Sequence, residues 1–164
     1  MKRAGWIMLA LVAVAGLVSL VWTPYDPLQA HPEARLQPSS LAHWMGTDEL
    51  GRDVASRIMD GARLTLAVAV GGVSLSALIG IPLGIWAGMR RRVVEPAVMA
   101  VSDLLLAFPA LLLAIVFTAV FGASIWIVVL AIGLAGIPGF VRVARVGTLQ
   151  VMSQDYILAA RVSK

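Results

Sequence analysis

Cysteine is absent from the 164 residues, so no disulfide can form, even in an oxidising periplasm. Charge is scarce as well. Only 13% of residues are charged and 60% are hydrophobic, against roughly 25% and 45–50% in an ordinary globular chain. Histidine occurs twice, as His31 and His43. Twelve positions apart and with no thiol nearby, they fit no ordinary metal-ligand spacing and read as solvated loop histidines. No nucleophile–base pair and no intramembrane carboxylate pair appears either. The chain therefore reads as non-enzymatic and without a cofactor of its own.

What is abundant is uninterrupted apolar sequence. Residues 4–22 and 64–89 carry no charge, 97–121 carries only Asp103, and 124–141 again carries none. A helix needs about 20 apolar residues to cross the hydrocarbon core. Only helices and closed barrels satisfy their backbone groups in lipid, and the period-two alternation of barrel strands is missing. The expectation is an all-α, polytopic transmembrane bundle of about four spans. The first span, preceded by Lys2 and Arg3, reads as an anchor rather than a cleaved signal, because its apolar core is long and no A-x-A site closes it.

Arginine and lysine give the orientation. Lys2 and Arg3, then Arg90, Arg91 and Arg92, then Arg142, Arg145, Arg161 and Lys164 fall on one side of the predicted spans, which makes that side and the N-terminus cytoplasmic. Residues 23–63 lie opposite and are net acidic. The formal net charge of +4 thus reports topology, not nucleic-acid binding. Three regions follow: a first transmembrane helix over 1–22, a periplasmic loop with an amphipathic helix over 23–63, and a transmembrane core over 64–164.

Prolines 24, 27, 32 and 38 punctuate the first half of the outer segment. From Asp48, the spacing of Leu50, Val54 and Ile58 predicts a short amphipathic helix, supported by an Asp53–Arg57 pair at i,i+4 and either surface-bound or solvated. In the second span Gly72, Ser76, Gly80, Gly84 and Gly88 recur every four residues. Small residues at that spacing let helix backbones approach closely in a membrane. Pro82 predicts a local kink there. Asp103 lies inside the third span and has two readings. It marks an ion or proton route, or it is structural, favoured near a helix N-terminus and able to reach Arg90, Arg91 or Arg92. Pro109, and Gly136, Pro138 and Gly139, predict kinks or breaks.

Gly46-Thr47-Asp48-Glu49-Leu50-Gly51-Arg52-Asp53 has the glycine spacing of a phosphate loop, but Arg52 and Asp53 replace the lysine and hydroxyl residue, and its three carboxylates repel phosphate. The stretch from His43 to Arg57, continuing to Gly61-Ala62-Arg63-Leu64, instead closely resembles the outer segment of the dipeptide, oligopeptide and nickel ABC permeases of the C-subunit type. Asp103 with Phe108-Pro109 resembles the same family's third helix. Phe140 to Arg145, then Gln154 to Arg161, is similar to its approach to the cytoplasmic coupling segment.

The resemblance implies a partial ABC importer permease fold. It implies as partners a second permease subunit, cytoplasmic ATPase subunits that use the ATP, and a periplasmic substrate-binding protein, all in a lipid bilayer. It also implies that Leu158-Ala159-Ala160, flanked by Asp155, Tyr156 and Arg161, enters a groove on the ATPase. Ser153 suits a cap of that helix, Asp155 its first turn and Arg161 its end. Leu158 stands where many permeases have glutamate, and Lys164 where the loop glycine is expected, so the sequence reads as a permease truncated inside its coupling loop. The competing expectations are an ion-coupled carrier centred on Asp103 and a non-transporting remnant.

Overall fold

The computed structural model describes residues 2–155 and 157. Its elements are α1 (Lys2–Val18), a 3-10 turn (Pro32–Ala34), α2 (Val54–Met89), α3 (Val94–Leu106), α4 (Ala110–Phe121) and α5 (Ile125–Met152). No strand occurs among the described residues beyond one isolated bridge, Thr47 to Asp53. The chain divides into two compact units, Met1–Ala67 and Val68–Lys164.

Two helices, α2 and α5, are each long and apolar enough to cross a membrane, and the bent pair α3–α4 makes a third crossing if taken as one span. At 17 residues α1 is about 26 Å long, slightly less than the roughly 30 Å hydrocarbon core. It ends four residues earlier than the apolar run, because Ser19 to Trp22 close into turns, with the Trp22 N–H on the Val18 carbonyl at 2.9 Å. Gly16 lies against the first turns of α2, where a Cβ would stand 3.2 Å from the Arg63 nitrogen.

Two expectations are corrected, and the kink or break expected at Pro109 is found. The outer amphipathic helix is not separate: its residues from Val54 onward are the first turns of a 36-residue α2, and Asp48 to Gly51 form a turn instead. The third apolar run is not one helix. It breaks at Ala107-Phe108-Pro109, and α3 and α4 meet at 79°. Pro109 has no N–H to donate, and its ring disfavours helical geometry at Phe108. Of the kink or break expected at Gly136, Pro138 and Gly139, a break does not occur: α5 continues for 28 residues through Pro138, which is fully buried. Ser124 starts that helix by accepting the Trp126 N–H at 3.4 Å.

In the second unit the small residues of α2 face α5. Cβ atoms built on Gly72, Gly80, Gly84 and Gly88 would meet Ile132, Phe140, Ala144 and Thr148 at 2.7–3.2 Å, each partner sixty positions further along the chain. A constant offset means that α2 and α5 run parallel. Two parallel spans require the intervening chain to recross the bilayer. The bent α3–α4 pair is therefore a broken span that returns, not a re-entrant loop that dips in and out.

Candidate functional site

The outer motif is a hydrogen-bonded knot. Asp53 is the N-cap of α2: its Oδ2 accepts the Ser56 N–H at 2.8 Å and the Ser56 hydroxyl at 2.7 Å, satisfying amides left open by the helix start. Its Oδ1 lies 3.0 Å from His43 Nδ1, and the His43 ring packs against Tyr25 at 4.7 Å. His43 is thus a half-buried partner of Asp53, not a solvated histidine, and His31, beside Glu33, is the more exposed of the two. Arg57 does not pair with Asp53 as its spacing suggests. It reaches Asp48, whose carboxylate also accepts the Leu50 and Arg52 amides at 2.8 and 3.0 Å and the Arg52 Nε at 2.9 Å.

Thr47, buried, accepts the Gln37 N–H at 2.8 Å and donates to the Ala34 carbonyl. Gly46 and Gly51 hold φ of +73° and +75°, and at Gly51 a Cβ would stand 1.8 Å from the His31 carbonyl oxygen, so only glycine fits there. The amides of Gly46, Thr47, Asp48, Leu50, Gly51 and Arg52 are all engaged internally. None of these six is left to cradle a phosphate. Partial desolvation raises the Asp48 carboxyl, but the Arg52 and Leu50 amides and the Arg52 guanidinium more than offset it and hold the group well below the usual carboxylate range. Asp53 is likewise lowered, desolvation being outweighed by Ser56 and then His43.

In the second unit one hydroxyl bonds across the seam. The Ser76 hydroxyl lies 2.8 Å from the Gly72 carbonyl and 2.7 Å from the Gly133 carbonyl across the interface. A Cβ on Gly136 would strike it at 2.4 Å. Two ion pairs then tie α3 to α5. Arg142 Nη2 donates to Asp103 Oδ1 at 2.6 Å, and Arg145 clamps Glu95 Oε1 through Nη2 and through Nε, the latter at 2.9 Å. Asp103 therefore pairs with Arg142, not with Arg90, Arg91 or Arg92. The Glu95–Arg145 pair is not among the sequence candidates, although the signal is there. Residues 93–154 contain two acids and two bases, and charges in an apolar region are costly unless paired.

Ser153, expected to cap a coupling helix, sits at the C-terminal end of α5 and donates to the Gln150 carbonyl at 2.9 Å. Asp155 is exposed beyond it. Tyr156, Leu158, Ala159, Ala160 and Arg161 lie outside the described residues.

Residues 80–164, just over half of the chain, match the family of binding-protein-dependent transport system inner membrane components. The chain belongs to that family. It is a family of transporter permeases rather than of enzymes, and membership fits a multi-pass inner-membrane protein with the long apolar helices seen here. The chain is 34% identical to a di/tripeptide transport system permease protein, DppC, of Pseudomonas aeruginosa, over 97% of this chain and 54% of the relative. It is 39% identical to a glutathione transport system permease protein, GsiD, of Pectobacterium atrosepticum, over 96% and 52%. It is 33% identical to a nickel transport system permease protein, NikC, of Escherichia coli, over 98% and 58%. The chain spans about half the length of the curated relatives it matches.

Proposed function

We propose that this chain serves as part of a permease subunit in an ATP-driven importer, passing small peptides, or nickel, from a periplasmic binding protein across the inner membrane. The chain itself neither catalyses nor binds a cofactor; partner ATPases consume the ATP and a second permease completes the path. The N-terminus, the Arg90–Arg92 turn and the end of α5 face the cytoplasm, in keeping with their arginine and lysine content. One observation carries the reading. The parallel α2–α5 seam delivers the end of α5, without a break, to the segment from Gln154 to Arg161 that resembles the family's ATPase-coupling loop.

A tagged copy purified from its native membrane is expected to bring down an ATPase subunit and a second permease. Reconstituted with them, it is expected to give peptide uptake that requires both ATP and the binding protein. Purification without any ATPase overturns the proposal. So does uptake driven by a proton gradient alone and abolished by Asp103→Asn.

A further inference from the structure

Where α2 ends and α5 ends, the second unit borders an open cavity of about 920 Å³, with Arg90, Arg91 and Arg92 on its wall beside Trp86, Val93 and Leu149. Among the described residues Arg90 and Arg92 pair with no carboxylate, while Arg91 reaches Glu95 at 3.8 Å. The cavity does not stop at the arginines. It shares Met89 and Met152 with a second hollow of about 420 Å³ that runs along the α2–α5 seam between Ile81, Ile85, Ala144 and Gly147. That hollow is apolar. The two together form one elongated site, cationic at the helix ends and greasy along the helices, with its long direction following two parallel spans.

A phosphate-bearing head on a hydrocarbon tail has that distribution of chemistry, and basic pockets between transmembrane helices suit anionic lipid heads. Tryptophan at the level of the headgroups fits the same depth. Arginines after a helix C-terminus are also favoured by the helix dipole, but the dipole does not account for an apolar groove opening from the same cavity. We infer that this cavity and groove hold one anionic phospholipid, its head on Arg90 and Arg92 and one acyl chain between Ile85 and Gly147.

Gly147 allows a clean test, because a Cβ there meets nothing within 4 Å. Gly147→Leu fills the groove without disturbing the seam, and Arg90→Gln with Arg92→Gln removes the free cations. The probe is a chain in which Trp86 is the one tryptophan, the other four replaced by phenylalanine, titrated in detergent micelles with brominated phosphatidylglycerol or brominated phosphatidylcholine. Saturable quenching by the anionic lipid is expected. It should weaken roughly 30-fold in the double glutamine variant, weaken also in Gly147→Leu, and resist millimolar inorganic phosphate. In parallel, mass spectrometry of the unsubstituted purified chain is expected to find phosphatidylglycerol retained in wild type and lost in both variants, so the assignment does not hang on the single-tryptophan chain folding. Equal quenching by the two lipids overturns it, and so does full displacement by inorganic phosphate, which marks a plain anion site. Protection of Arg90 and Arg92 from phenylglyoxal by the ATPase subunit alone, with no retained lipid, also overturns it and puts an acidic protein face there instead.

Discussion

Around residues 31–56 the chain is held by polar groups: Thr47, Asp53 and Ser56 are buried and every buried polar side-chain atom among the described residues has a partner. Along the α2–α5 seam the contact is backbone against backbone, with the Ser76 hydroxyl as its polar link. The difference follows from the solvents the two regions are built for. In water an unpaired backbone amide can turn outward, so an irregular loop keeps its shape only by directing every donor to an acceptor. In lipid the helices already satisfy their own amides, and close approach is what is left to hold them together. Glycine serves both regions for different reasons. At Gly51 it permits a positive φ under a carbonyl, and at Gly84 it lets an oxygen sit where a Cβ would be.

Replacing those two glycines separates the reasons. Gly51→Ala adds left-handed strain of about 1–2 kcal/mol to an overlap with the His31 carbonyl. It should leave the outer segment open to protease while circular dichroism still reports the helices. Gly84→Ala meets the Val141 carbonyl oxygen at 2.4 Å and should cost about 1–3 kcal/mol of overpacking, read as a lower melting temperature in detergent. Gly139→Ala, with open space around it, should be neutral or slightly stabilising. If Gly84→Ala matches Gly139→Ala, the seam is not a close backbone contact.

Acid discriminates the regions next. Asp48 and Asp53 have folded pKa values below their unfolded ones, so their contribution is complete above an unfolded value of about 3.9 and is lost as pH falls through the folded values. The outer segment is expected to loosen as pH drops below about 4, whereas no titratable residue lies in the glycine stripe itself. Asp53→Ala should remove the α2 cap at neutral pH, costing about 1 kcal/mol, and should flatten that acid dependence. The smallest loss of stability is expected at Ser76→Ala, about 0.6 kcal/mol, the average for one interhelical hydrogen bond in a membrane.

The glycine stripe was readable because a four-residue period names a helix face, whatever that face packs on. The family was readable in residues 43–64 because their turn chemistry tolerates few substitutes. Less visible was anything decided by which side chain wins a partner. Spacing alone joined Asp53 to Arg57, yet Asp53 is held by Ser56 and His43, and Arg57 goes to Asp48. Proline gave opposite outcomes for a similar reason. Pro109 breaks its run at the surface of its unit, while Pro138 is tolerated on the buried face of α5. Burial, not the residue, made the difference.

A stripe that repeats every four residues looks the same after a slide of one repeat, about 6 Å along the axis. Glycines 80, 84 and 88 offer the same bare backbone at each rung, so only what α5 sets against them, Phe140, Ala144 and Thr148, tells one rung from the next. Ser76 is the mark that breaks this translational symmetry. Its oxygen bonds the Gly133 carbonyl beside the space that Gly136 leaves open, so one hydroxyl helps to fix the registration of two spans.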